Sequence, residues 1–351
     1  MRVLRLIAAV ILIGASAFVA GAARGQSGSA AMTKPGAHLV LMLDVAEVRT
    51  HWLTSMRDEI RSRLREAKVG FGGLRIADNA VRVRLAKPED ADAALKALAD
   101  LAPAAPSGNL EKLLSLVRGA GSDVAIARGE GGGSITITPN EAGLERRASA
   151  ALDDAVTIAG RRLEGMGVAA TAVRQAPGRI HVHAPSLQET PALKELLTKR
   201  ARLGFHEVHP TTSPEQARQG RIPVGFKIYS APPSELLLRE SPTIRGSDLA
   251  DAQAAFDKRT NEPVISFRFN KTGAHAFSRF TAENVGRPFA IVLDDVVLSA
   301  PVIREPVLGG SGQVSGNFTV RDANQLAVQL RAGTLPAKLE VVEERVVPAG
   351  G

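Results

Sequence analysis

The chain has 351 residues, enough for two or three compact units, with 44 Lys and Arg against 36 Asp and Glu and no cysteine. With 44% hydrophobic and 23% charged residues it has the make-up of a globular protein, which excludes a disordered or collagen-like chain. The lack of cysteine excludes a disulfide scaffold, a thiolate zinc site, an Fe–S cluster and a thiol nucleophile, and the 4% aromatic share argues against a nucleic-acid stacking platform.

At the N-terminus, Arg2 and Arg5 precede an apolar run from Leu6 to Ala23, and small residues follow at Ala20 to Gly25. This is the pattern of a secretory signal peptide over residues 1–25, which places the protein in the periplasm. The alternative is a retained inner-membrane anchor, residues 6–23, at the short edge of what spans a bilayer. Cleavage would leave 41 basic against 36 acidic residues, +5 instead of +8. Those charges are spread among acids along the chain, a mixed solvated surface with no call for a nucleic-acid partner.

His38 to Val45 reads as a strand. Leu53, Met56, Ile60, Leu64 and Ala67 then recur at helical spacing. Strands follow at Phe71 to Ile76 and Ala80 to Leu85, then a helix at Glu89 to Leu101. A connector (Ala102 to Gly108), a short helix (Leu110 to Arg118) and a hairpin (Val124 to Arg128, Ser134 to Thr138) around Gly129 to Gly133 come next. The same order then returns. Ser134 to Thr138 leads into a helix at Glu141 to Met166 stopped by Gly167, and a hairpin at Ala169 to Gln175 and Arg179 to Ala184 turns at Ala176-Pro177-Gly178. A helix at Pro191 to Arg200 with Thr190 as N-cap and a strand at Arg202 to Val208 close the second half. The two halves read as a degenerate tandem of split-βαβ, ferredoxin-like units in an α+β fold.

His209 to Pro214 is a linker. Beyond it, strands are expected at Gly225 to Ser230, Leu249 to Phe256 and Val264 to Phe269, and a helix at Thr272 to Val285. A hairpin at Phe289 to Leu293 and Val296 to Leu298 turns at Asp294-Asp295, and a helix from the Thr319 cap to Arg331 is stopped by Gly333. The last strand, Leu339 to Val347, has no local partner, so it is expected to return to the first sheet. Residues 36–208 and 335–347 would then form a base, with 210–334 inserted as an α+β head. Val208 and Pro210 on one connection, and Gly316 and Gly333 on the other, are the hinge candidates.

Few residues offer chemistry. His181 and His183 share one face of a strand, with His206 and His209 as further ligands for a metal. The plainer reading is a half-exposed strand pair, and no metal is assigned. Gly309-Gly310-Ser311-Gly312 lacks the Lys-Ser/Thr of a phosphate loop and reads as a turn. Asp294-Asp295 reads as a hairpin tip, not an acid–base pair. No catalytic or cofactor residue emerges, so the protein is not read as an enzyme. Leu236, Leu237 and Leu238 are candidates for binding polypeptide if they form an exposed patch; the alternative is a buried strand.

One resemblance is specific. It rests on Pro301-Val302-Ile303-Arg304-Glu305-Pro306, on Gly309 to Thr319 (GGSGQVSGNFT) and on Leu330 to Ala337 (LRAGTLPA). Glu283 to Arg287, Ala290 to Asp294, Arg162 to Val168 and Lys194 to Leu197 add to it. These resemble the first periplasmic region of the SecD family, a bacterial protein-export membrane subunit, from about residue 36 to 346. The resemblance implies a ferredoxin-like base with an inserted head. In it, Arg304, Pro306, Gly309, Gly310, Gly312, Gly316, Asn317 and Phe318 would be structural motif positions.

It also implies a cofactor-free export accessory that binds or guides unfolded or translocating polypeptide. Its partners would be that polypeptide and the Sec translocon or SecF-like membrane subunits. The family continues into transmembrane helices where this sequence stops at Val347 to Gly351, so no proton conduction of its own is expected. Lys34 to His38 keeps only part of the signature that precedes the family's first strand. The alternative functions are an assembly module docking on a Sec or envelope complex and, less favoured, a metal-binding periplasmic protein.

Overall fold

A computed structural model describes residues 34–101, 122–129, 133–175, 178–187 and 189–348. The expected signal peptide, the connector and short helix at 102–118, the hairpin tip at 130–132 and the turn residues Ala176 and Pro177 lie outside them.

In chain order the first elements are β1 (Gly36–Leu43), α1 (Val45–Glu66), β2 (Phe71–Ala77), β3 (Ala80–Leu85) and α2 (Ala91–Leu98). Next come β4 (Val124–Arg128), β5 (Ser134–Pro139), α3 (Glu141–Gly165), β6 (Thr171–Gln175), β7 (Arg179–Ala184), α4 (Pro191–Thr198) and β8 (Leu203–Glu207). The remainder is α5 (Pro214–Gln219), β9 (Phe226–Ala231), β10 (Ser234–Arg239), β11 (Ile244–Arg245), β12 (Leu249–Phe256), β13 (Pro263–Phe269) and α6 (Lys271–Glu283). It ends with β14 (Phe289–Leu293), β15 (Val296–Ser299), β16 (Ser311–Ser315), α7 (Val320–Ala332) and β17 (Leu339–Val347).

Two compact units result. One comprises residues 43–154 and 336–338; the other takes the rest, so the division falls inside α3. In the smaller unit, β2-β3-β5-β4 form one antiparallel sheet. α1 starts where the Asp44 carboxylate accepts from Glu47 N, and it buries Val48, Trp52, Leu53, Met56, Ile60 and Leu64. Val81, Val83, Ile135 and Ile137 are also buried, at alternate positions of their strands.

Among the described residues the larger unit carries three sheets, ordered β17-β1-β7-β6, β10-β9-β15-β14-β8-β11 and β12-β13-β16. β1 is buried along nearly its whole length, as expected of a central strand. α7 begins with a capping box between Thr319 and Asp322, and Gly333 ends it at φ 103°, a conformation that L side chains rarely adopt. Asp294 and Asp295 turn the β14–β15 hairpin with φ of 49° and 68°, the left-handed pair that a two-residue turn requires.

Several sequence expectations are corrected. β1 does not join β2 and β3, its neighbours in sequence; it pairs with β7, while β5 pairs with β3 and β4. The opening strand of each presumed repeat thus pairs with the hairpin of the other. The 22 residues of α1 rise about 33 Å, further than a strand is long, so β1 and β2 are not joined by a tight local connection. β8 sits between β14 and β11 instead of closing a second repeat. Thr190 precedes α4 but makes no side-chain cap; its hydroxyl donates to Glu344 of β17. Ser311 and Gly312 of the expected turn already belong to β16.

Candidate functional site

The larger unit is built around phenylalanine. Phe205 of β8 meets Phe267 and Phe269 of β13, Phe277 of α6 and Phe289 of β14, with ring centroids 5.1–6.3 Å apart. Beside this cluster opens a cavity of about 240 Å³, lined by Phe267, Phe277, Phe289, Ile291 and Ile303 and rimmed by Val302, Arg304, Val307 and residues 311–313 of β16. The rim loop leaves two large apolar side chains in solvent, Val302 at 55% and Leu308 at 80% exposure. Among the described residues β16 has a strand partner, β13, on one side only. An apolar hollow therefore adjoins a backbone edge that can take another strand.

The glycines of the rim are there for clearance. A Cβ on Gly310, at φ 59°, would lie 2.4 Å from Ala274 Cβ, and one on Gly312 would lie 2.7 Å from the Phe267 ring. At Gly316 the ring of Phe318 leaves 2.9 Å. Phe318 is half-buried against the core, whereas Arg304, Pro306, Gly309 and Asn317 are exposed. The leucine patch is not a surface. Leu237 and Leu238 are 1% and 0% exposed in β10, and Leu236 is half-buried against the neighbouring core, which is the buried-strand reading.

A second constellation pins the loop between α4 and β8. Arg162 of α3 is fully buried. Its Nη1 donates to the carbonyls of Leu196 and Lys199, at 2.8 and 2.6 Å, and its Nη2 to those of Arg200 and Gly333, both at 3.2 Å. Gln329 of α7 adds donors to Glu195 and Leu196. These carbonyls include the end of α4, where the helix dipole places partial negative charge. Burial pushes the Arg162 pKa down to about 10, opposed by Asp294. Asp294 binds the same loop from its N–H side, accepting from Ala201 and Arg202 at 3.1 and 2.8 Å. The hairpin-tip aspartate is thus an anchor for Ala201, which holds φ 59°. Of the hinge candidates, Gly333 is tied into this clasp, Val208 makes an isolated bridge to Leu238, Gly316 turns into Phe318, and Pro210 is exposed.

The histidines of β7 have a partner that the sequence reading missed, His38 of β1. His38 lies opposite His183 in the register and stacks on it at 4.4 Å, and His181 Nε2 lies 3.2 Å from His38 Nδ1. Backbone carbonyls fix the tautomers. Lys34 O accepts from His38 Nε2 at 2.7 Å and Pro35 O from His183 Nε2 at 3.0 Å, so His181 Nε2 donates to His38 Nδ1. His181 is 4% exposed, not half-exposed, and its pKa is lowered by burial and by the other two rings. Among the described residues no group of three His, Asp or Glu converges on a metal position. His206 lies elsewhere, on β8, bonded through Nδ1 to Arg239 O.

Residues 225–337 match the family model of the SecDF P1 head subdomain. The SecD protein translocase subunits of Rickettsia bellii and Rhodobacter capsulatus are each 32% identical to this chain, over 314 and 321 residues. These stretches cover 89% of this chain and 57% and 55% of those proteins, so the chain spans a little over half the length of these relatives. Two solved SecDF structures are each 33% identical over 56% of this chain. One, in the super-membrane-facing form, gives a TM-score of 0.48 with 28% of that chain covered; the other, a membrane component that enhances protein export, gives 0.46 with 94% covered. The resemblance to SecD that the motifs carry thus extends over nearly the whole chain. No helix among the described residues is long and apolar enough to cross a membrane.

Proposed function

We propose that this chain is a periplasmic, SecD-like accessory of protein translocation that holds a passing unfolded polypeptide at the edge of β16. The carrying observation is the phenylalanine-lined cavity beside that one-sided strand, within the region matching the SecDF P1 head subdomain. An extended chain would add main-chain hydrogen bonds along β16 and place an apolar side chain in the hollow, so it would be held with little regard to sequence. Val302 and Leu308 would extend the apolar contact. The proposal assigns the chain no proton conduction; the Sec translocon and SecF-like membrane subunits are its proposed partners.

The same reading takes residues 36–208 and 335–347 as a base and 210–334 as a head moving about Val208, Pro210, Gly316 and Gly333. A ferredoxin-like base is supported by the sheet β17-β1-β7-β6. Numbered by their order along the chain, its strands stand 4-1-3-2, the arrangement of a split βαβ unit with two long insertions.

A photocrosslinking residue at Leu308 tests the polypeptide reading in periplasmic extract and with a purified unfolded protein. The expected result is a ladder of many clients, competed by added unfolded polypeptide. A single stoichiometric envelope protein, with no capture of unfolded chains, would overturn it in favour of an assembly module.

A further inference from the structure

The smaller unit carries a basic hollow that the polypeptide reading does not use. It lies on the sheet β2-β3-β5-β4, has a volume of about 430 Å³, and is lined by Gly72, Gly73, Arg75, Arg82, Arg84, Ser134 and Thr136 with Val83. The strand register explains why these residues converge. Gly73 stands opposite Arg84, and Arg84 opposite Ser134; one step along, Arg75 stands opposite Arg82, and Arg82 opposite Thr136. Directly opposed residues in an antiparallel sheet project to the same face, so two rows of three side-chain positions share one surface. Their alternates Val81, Val83, Ile135 and Ile137 are buried, which leaves this row set on the opposite face.

The hollow comes from missing side chains. The register slips between Phe71 and Gly73, so Gly72 is a bulge, and a Cβ there would meet nothing within 4 Å. Around that gap stand three guanidinium groups, and the lining contains no carboxylate. Arg82 is paired with Asp78 at 2.6 Å, whereas among the described residues Arg75 and Arg84 have no ion pair and the hydroxyls of Ser134 and Thr136 have no hydrogen-bond partner. Like charges on the adjacent strands β2 and β3 repel, an arrangement stabilised by an anion bound between them.

We propose that this hollow is a binding site for a phosphoryl group, with Arg75 and Arg84 as the forked donors and Ser134 and Thr136 as hydroxyl donors from the far strand. Guanidinium forks match tetrahedral oxyanions, and hydroxyls complete their shell. The lining has no aromatic residue to stack a base, so a nucleotide is disfavoured. The volume admits more than the phosphate itself, which fits a small phosphate ester, free or as the headgroup of an anionic phospholipid.

The experiment titrates the purified protein with inorganic phosphate and glycerol 3-phosphate, followed by amide chemical shifts, and floats it with phosphatidylglycerol or phosphatidylcholine vesicles. Saturable shifts at residues 72–84 and 134–136 are expected, weakened at least tenfold in R75Q/R84Q and several-fold in S134A/T136A. Arg75 and Arg84 are exposed and Ser134 and Thr136 half-buried on the face away from the core, so both double variants should leave the melting temperature unchanged. Flotation with phosphatidylglycerol alone, lost in R75Q/R84Q, identifies the lipid as the source; soluble binding without flotation identifies a free ester. No saturable response to any probe, or a response that R75Q/R84Q leaves intact, overturns the site.

Discussion

Arg162 Nη2 donates to the carbonyl oxygen of Gly333 at 3.2 Å, joining positions 171 residues apart. The bond ties the last turn of α3 to the end of α7, at the point where the chain leaves toward β17. Without the guanidinium, the carbonyls of Lys199 and Gly333 lose the only donor described for them, whereas Leu196 and Arg200 keep one from Gln329 and from Leu335 N.

Arg162→Met should therefore destabilise the protein by about 2–4 kcal/mol, roughly 1–3 for each bare buried carbonyl, less the relief from no longer burying a charge. Thermal melting should fall by ~5–15 °C. Arg162→Lys should recover little, because one ammonium cannot reach four carbonyls on two sides. A melt unchanged within 2 °C of the parent, about what 1 kcal/mol produces, would mean the carbonyls find other donors.

The clasp also bears on motion. Spin labels at Ser230 and Val173, both exposed, can be placed cleanly because the chain has no cysteine. If Gly333 is a pivot held by Arg162, the Arg162→Met variant should broaden the distance distribution between the labels, and unfolded polypeptide should shift it in the parent protein. A single narrow distribution that neither change affects would remove the hinge.

Much of the larger unit was legible in the sequence because its signals are local. The Thr319 cap, the Gly333 stop, the Asp294-Asp295 turn and the strands at 249–256 and 263–269 all depend on neighbours in sequence. What was missed depends on distance. Arg162 in an apolar stripe looks like a surface residue until α4 and α7 bring their carbonyls to it. His38 lies 143 residues from His181, so its stack on β7 follows from pairing β1 with β7. β16, with Ser311, Gly312 and Gln313, carries almost no strand propensity; its place is set by Gly312 fitting under Phe267. The cavity edge was therefore hidden, while the apolar Leu236 to Leu238, an obvious patch in sequence, became core.

Gly310→Ala should cost about 1–2 kcal/mol for its left-handed backbone and a further ~1–3 for overlap with Ala274. Ala274→Gly in the same chain should restore the overlap part and leave the backbone part. Full rescue by Ala274→Gly would show that φ at position 310 relaxes freely. Urea titration of the two single variants and the pair measures both terms.

Acid should destabilise the protein before any carboxylate titrates. Burial lowers the pKa of His181, with His38 and His183 adding to it and Glu343 opposing. Burial likewise lowers that of His206, opposed by the Arg239 carbonyl and Asp295 and aided by Arg202. The unfolded state, near the ordinary value of 6.5, then binds protons that the folded state refuses. Stability is complete above that value and is lost as pH falls through it toward the lowered folded-state values. The melting temperature should be flat from pH 9 to about 7.5 and fall between about 7 and 5. His181→Phe should reduce that slope even if it lowers the plateau. An unchanged slope would mean the histidine cluster is not the sensor.

The most direct test of the account is amide hydrogen exchange along β16 with and without an unfolded polypeptide. Bound polypeptide added as a strand is predicted to slow exchange at outward-facing amides within residues 311–315, and Val302→Asp with Leu308→Asp should weaken that protection at unchanged thermal stability. Saturating polypeptide that leaves residues 311–315 exchanging as in the free protein would contradict capture at this edge.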